Sequence, residues 1–263
     1  MSHLVRQSPP PNPRRRALSA LARLAAQAIA LGPLARHAQA RGPANAPAMP
    51  NQHLLKAAAT GDVPAIERAL AAGADVEARD ARGRTPVLLA TDGNHVAAAR
   101  ALIARGANVN AQDQQLDSAF LLAGARGYTE IMRAALGAGA DWRITNRYGG
   151  TALIPACERG HVDTVRLLLS TDIDVDHVNR LGWTGLLEAV ILGDGGPRHQ
   201  QIVQMLLARG AQVNLADREG VTPLQHAVQR GQPEVAALLR AAAAGSQAAV
   251  RSVPASAGPV TVF

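Results

Sequence analysis

The stretch "GDGGPRH", residues 193–199, brings a carboxylate, a guanidinium and an imidazole together among glycines that permit close backbone approach. Such a set can hold a small anion. Pro197 suits the first position of a helix, so Arg198, His199 and the free N–H groups of that turn would face a carboxylate or phosphate. Gly195 and Gly196 belong to the same candidate contact loop, and Asp194 can fill the anion's role from within by capping the helix. A second concentration of chemistry is "TDIDVDHVN", residues 171–179. Asp172, Asp174 and Asp176 alternate along an extended segment and share a face, an arrangement suited to a cation, with His177 beside them. The spacing lacks that of a calcium-binding loop, and a solvated acidic surface accounts for it. Cys157 is the one cysteine and occupies a slot filled elsewhere by alanine, so it reads as a buried structural thiol. Glu188 and His226 hold equivalent places in neighbouring units and could face each other, but no nucleophile or metal shell accompanies them. No catalytic residue, metal or cofactor is assigned.

These residues are positioned by a period. Gly83, Leu116, Gly149, Gly182 and Gly220 follow one another at intervals of 33, 33, 33 and 38 residues. Two residues after each comes Thr85, Ser118, Thr151, Thr184 or Thr222, and five later Ala90, Ala123, Ala156, Ala189 or Ala227. The hydroxyl residue caps a short first helix, with Pro86 at its first position. The small alanines let helices approach closely. Gly61, Asn94, Gly127, Gly160, Gly193 and Gly231 then break the helix in the left-handed conformation, and a second helix follows. Aromatic residues are only 2% of the chain, so Ala, Leu and Val must fill the core of a helix-on-helix stack. Aligning Gly193 on Gly160 and His199 on His161 makes residues 194–198 a five-residue insertion between two helices.

A 33-residue period with Thr-Pro-Leu, paired alanines, Gly-His and "LIARGANVN" resembles the ankyrin repeat. "GGTALIPACERGHVDTVRLLL", followed by "VDHVNRLGWTGLLEAVILGDGG", is similar to a group of bacterial, often exported, members. The resemblance implies an all-α repeat solenoid of about six units over residues 51–245, each a helix–turn–helix with a β-hairpin finger. The units are a cap at 51–80, then 81–113, 114–146, 147–179, 180–217 with the insertion, and a closing cap at 218–245 whose second helix spans 233–244. His95, His161 and His199 take the family's Gly-His place. The histidine the family often carries three residues after the threonine is replaced by Leu88, Leu121, Ile154, Leu187 and Gln225, so apolar packing stands in for that polar network. Leu116 in a glycine place, Asp172 at a helix end and Pro155 inside a first helix make the middle of the array locally irregular.

In the family, the fingers and first helices grip a protein partner. Trp142, Tyr148 and Trp183 fall in adjacent hairpins, where they can anchor a partner or pack on the neighbouring finger. Arg147 and Arg180, at the hairpin tips, are counted with them as partner-binding. The insertion lies at the opposite end, as a second contact loop or an elongated turn. The alternative function is a small-anion or metal-dependent ligand binder or enzyme using "GDGGPRH".

The formal charge of +7 is local. Residues 1–40 hold six arginines and no acid; 27 basic residues less those six leaves 21 against 20 acidic ones, too even a balance to collect phosphates, so nucleic acid is not an expected partner. Positive charge, an Ala/Leu-rich run and Ala38-Gln39-Ala40 have the three-part form of an export signal, by the general or the twin-arginine route. The expectations are cleavage after Ala40, a periplasmic or secreted monomer without stable membrane insertion, a Pro/Ala-rich linker at 41–50 and a disordered tail at 246–263.

Overall fold

The computed structural model describes residues 48–251; the expected export signal and most of the expected linker lie outside them, as does the expected tail beyond residue 251. Among the described residues, twelve helices form six antiparallel pairs: α1 (Ala48–Thr60) with α2 (Val63–Ala71), α3 (Pro86–Asp92) with α4 (Val96–Ala104), α5 (Ala119–Arg126) with α6 (Thr129–Gly137), α7 (Leu153–Glu158) with α8 (Val162–Leu169), α9 (Gly185–Ile191) with α10 (Pro197–Ala208), and α11 (Pro223–Gln229) with α12 (Pro233–Arg251). First helices pack on first helices and second on second, so each pair packs against its neighbours in a two-layered stack. The linker's last residues are already helical in α1. The closing helix runs to Arg251, beyond the Ala244 expected from the sequence.

The small slots explain the closeness of the first layer. Ala90, Ala123, Ala156, Ala189 and Ala227 are all fully buried. A Cβ added at Gly124 would come within 2.7 Å of the Ala152 side chain, and one at Gly185 within 3.3 Å of Cys157 Sγ. Leu54, Leu102, Ile131, Leu168, Ile202 and Leu239 fill the space between layers, with Phe120 the one fully buried aromatic among the described residues. Leu88, Leu121, Ile154 and Leu187 are buried where the family often has histidine, in keeping with an apolar substitute for that network.

Hydroxyl caps start the first helices. Thr85, Ser118, Thr184 and Thr222 each accept the N–H three residues on, from Leu88, Leu121, Leu187 and Gln225. Thr151 is the exception, and Pro155 is the cause. Proline has no N–H for the Thr151 carbonyl, so the Ile154 N–H takes that carbonyl at 3.3 Å and leaves the threonine hydroxyl buried without a partner. Helix α7 is correspondingly the shortest, at six residues.

The fingers carry no strand among the described residues; each is a tight turn. The N–H of Asp80, Asp113, Asn146, Asn179 and Asp217 donates to the carbonyl four residues on. The Oδ1 of the same residue accepts the N–H groups two and four residues on. Leu116 holds the tip position at φ 59, in the left-handed region where the other tips have glycine. The turn therefore keeps its shape and the leucine absorbs the strain.

Candidate functional site: the finger edge and the inserted turn

The aromatics read as partner anchors or as packing on the neighbouring finger lie partly within the fold. Trp142, Tyr148 and Trp183 are each half-buried. Trp142 packs against the core, and the Arg147 guanidinium lies over the Tyr148 ring, 4.8 Å from its centre. Arg147 also donates to Gln115 Oε1 and Asp117 Oδ2, both at 3.2 Å. Burial raises the Asp117 carboxyl above its ordinary range, and Arg147 offsets this only in part. Arg180 is exposed and donates to the Arg147 carbonyl at 3.0 Å, while its N–H meets the Tyr148 carbonyl at 2.8 Å. The three aromatics and two arginines thus share two adjacent fingers.

Further side chains stitch finger to finger. Arg79 Nη1 donates to the Gln112 carbonyl, Gln112 Nε2 to the Thr145 carbonyl, and His177 Nε2 meets the Gly149 carbonyl. Glu77, Asn110 and Asp176 accept backbone N–H groups from Asn108, Asp141 and Gln212 of the following units. This separates the three aspartates of "TDIDVDHVN". Asp176 serves that ladder, Asp174 accepts the Asp176 N–H within its own turn, and Asp172 lies 3.9 Å from Arg209. No group of His, Cys, Asp and Glu among the described residues could hold a metal ion.

Asp172 replaces a helix-ending glycine, and the end of α8 is finished differently. Ser170 and Thr171 hydroxyls donate to the Leu167 and Leu168 carbonyls. Arg209, from the next unit, reaches back to the Leu169 and Thr171 carbonyls at 3.1 and 3.0 Å. Sequence reasoning missed Arg209 because its partners lie about one unit away.

Glu188 and His226 are not partners of each other. Each is held by the turn residue nine positions before it: Glu188 Oε1 accepts from Asn179 Nδ2 at 2.8 Å, and His226 Nε2 lies 2.7 Å from Asp217 Oδ2. Burial pushes the Glu188 carboxyl up to about 8, helped by the nearby Glu158 charge. Burial acts in the same direction on Asp217, but His226 and the N–H groups of Val221 and Glu219 outweigh it and leave that carboxyl below its usual range. Cys157 is buried, and its thiol is pushed well above the ordinary range by burial and by Glu188. It stays protonated at neutral pH and is no nucleophile.

At the other end of the units, His95 and His199 reach back to the Ala59 and Glu158 carbonyls of the preceding pair. Their rings cover Gly61 and Gly160, as the His161 ring covers Gly127. His161 Nε2 is buried without a partner, and burial depresses that ring's protonation. Gln232 takes the histidine's place in the last pair: it donates to the Val190 and Gly193 carbonyls and lies against Gly195. Gly195, at φ 70, is therefore the counterpart of Gly160, where Gly193 was expected. The five extra residues divide around it, with Gly193 and Asp194 before, and Gly196, Pro197 and Arg198 after. Pro197 opens α10 as expected, and the later extra residues become an added start to that helix. Asp194 does not cap α10. Its Oδ1 accepts the Gly196 N–H at 2.9 Å and meets His199 Nδ1 at 2.7 Å, and these contacts, Gly196 first, hold its carboxyl below the usual range. Gln200 Nε2 closes the loop on the Gly195 carbonyl. Asp194 and His199 are thus engaged with each other, and Arg198 remains exposed.

Comparison with known proteins agrees with this geometry. Residues 54–141 and 119–217 match the family described as ankyrin repeats (3 copies), and residues 197–251 that described as ankyrin repeats (many copies). An ankyrin repeat domain from Acinetobacter baumannii AYE is 53% identical, with a TM-score of 0.70 over 72% of this chain and 97% of that one. The ankyrin repeat protein EF0377 is 40% identical, with the same TM-score and coverage. The putative ankyrin repeat protein YahD of Escherichia coli K12 is 53% identical over 57 residues, which are 22% of this chain and 28% of YahD. Ankyrin repeats are typically protein-binding modules and generally non-enzymatic scaffolds. On the family match across nearly all described residues and the six stacked pairs, the chain belongs to the ankyrin-repeat family.

Proposed function

We propose that this chain is an exported module that grips a protein partner through its fingers and the neighbouring first-helix face. The supporting observation is the pairing of half-buried Trp142, Tyr148 and Trp183 with Arg147 and Arg180 on adjacent fingers. Aromatic rings already pinned by their own fold lose little freedom on binding, and the area they still expose is available to a partner. The protein acts as a monomer and has no nucleic-acid partner. Export rests on the N-terminal arginines, the Ala/Leu-rich run and Ala38-Gln39-Ala40.

The test is capture of partners from the periplasm with the mature chain, repeated with a Trp142→Ala, Tyr148→Ala, Trp183→Ala variant. Loss of the captured protein is expected; full retention would remove the finger reading. N-terminal sequencing of the product should begin at Arg41, and an intact Met1 in the cytoplasm would remove export.

A further inference from the structure

The finger tips share a shape but differ in charge. Asp80, Asp113 and Asp217 build three of the turns; Asn146 and Asn179 build the other two with the same Oδ1 contacts and no charge. The residue after the turn builder is Ala81, Gln114, Arg147, Arg180 or Arg218, so the last three tips each present a guanidinium, all exposed. The Arg180 and Arg218 stems rest on the preceding tip: a Cβ at Gly149 would lie 2.9 Å from Arg180 Cγ, and one at Gly182 2.5 Å from Arg218 Cγ. Asp117 faces Arg147 at 3.2 Å, whereas among the described residues no ion pair engages Arg180 or Arg218. The finger that carries Arg180 also presents exposed Val178 and half-buried Leu181 and Trp183.

We propose that this edge receives an extended acidic segment of a partner protein, with carboxylates on Arg147, Arg180 and Arg218 and an apolar residue against Val178, Leu181 and Trp183. The spacing follows from the stack. Packed helices lie about 8–10 Å apart, so successive tips do too. A segment in the extended polyproline II form advances about 3.1 Å per residue with three residues per turn, so acids at every third residue share one face and keep step with the arginines. Arginine forks match carboxylates in a two-point contact; the Arg180 and Arg218 forks, on anchored stems and outside any ion pair among the described residues, are set up for it, and Arg147 joins them while shared with Asp117. The inference rests on the finger-binding reading above and names the partner's chemistry.

The test uses the full chain and a labelled synthetic peptide with glutamate at every third position and one central leucine, read by fluorescence anisotropy. An isomer with the glutamates grouped at one end and an oligothymidylate serve as comparisons. The spaced peptide should bind most tightly, weaken with salt, and lose about tenfold or more on Arg180→Glu with Arg218→Glu. Both side chains are exposed, so the variant should melt as the parent does. Equal binding by the isomer, tighter binding by oligothymidylate, or an unchanged variant would overturn the proposal. A captured partner lost with the aromatic variant but kept by the arginine variant would overturn only the acidic segment; one kept by both would overturn the finger reading as well.

Discussion

Asn179 and Glu188 hold each other beneath the Arg180 tip, both buried, with Nδ2 donating to Oε1 over 2.8 Å. The asparagine's Oδ1 is occupied by the N–H groups of Leu181 and Trp183, so one side chain both shapes the turn and ties it to α9. Asp217 and His226 repeat the arrangement one unit later.

This pair makes stability depend on pH. Between the free value of 4.5 and about 8, folded Glu188 keeps a proton that the unfolded chain has released. Stability therefore falls as pH rises across that window and levels off above it. Glu188→Gln preserves the acceptor for Asn179 and removes the titration. Its melting temperature should match the parent's near pH 4.5 and exceed it near pH 8; a constant difference at both would contradict the assignment.

Leu116 is strained at φ 59 and 40% exposed. Leu116→Gly removes a left-handed penalty of about 1–2 kcal/mol, partly offset by the freedom glycine regains on unfolding. A net gain of about 1 kcal/mol, or about 2–4 °C in melting temperature, is expected. A lower melting temperature would show that the leucine makes a compensating contact.

Thr151 separates capping from burial. Thr85→Val and Thr184→Val each lose a helix cap and should cost about 1 kcal/mol. Thr151→Val deletes a buried hydroxyl that has no partner, and should be neutral or stabilising by chemical denaturation. Equal losses at all three positions would sink the account of Pro155.

Arg209 closes a helix that is not its own. Arg209→Ala should cost about 1 kcal/mol, since the guanidinium is partly exposed. Arg209→Lys should recover little of it, because one ammonium cannot span two carbonyls as the fork does. Faster amide exchange confined to the end of α8 would locate the loss.

Two glycines should respond oppositely. Gly195→Ala forces a side chain into φ 70 and to within 2.7 Å of Gln232, a cost of about 1–2 kcal/mol. Gly137→Ala lies in α6 with open space around it and should stabilise by about 0.5–1 kcal/mol. Losses of similar size would mean that the left-handed turn is not the determinant.

The helix pairs were legible because their signals are local. A capping hydroxyl, a small residue five later and a left-handed breaker each act within one turn, and the period repeats them. What escaped is set between units. Gly193 aligns with Gly160 by spacing, yet Gln232 of the next unit packs on Gly195 and fixes the turn there. Trp142 reads equally as a partner anchor or as packing, and which holds depends on the core surface beneath it. Asp194 has the composition of a cap, yet its Oδ1 is taken by the Gly196 N–H and by His199.

The backward reach of His95, His199, Gln232 and Arg209 gives the array a direction in time. The Ala59, Glu158, Val190 and Leu169 carbonyls gain these donors only once the following unit has been made. As the chain grows from its N-terminus, each pair can settle only one unit behind synthesis. A product halted at a unit boundary would end on a pair whose carbonyls still await their donors.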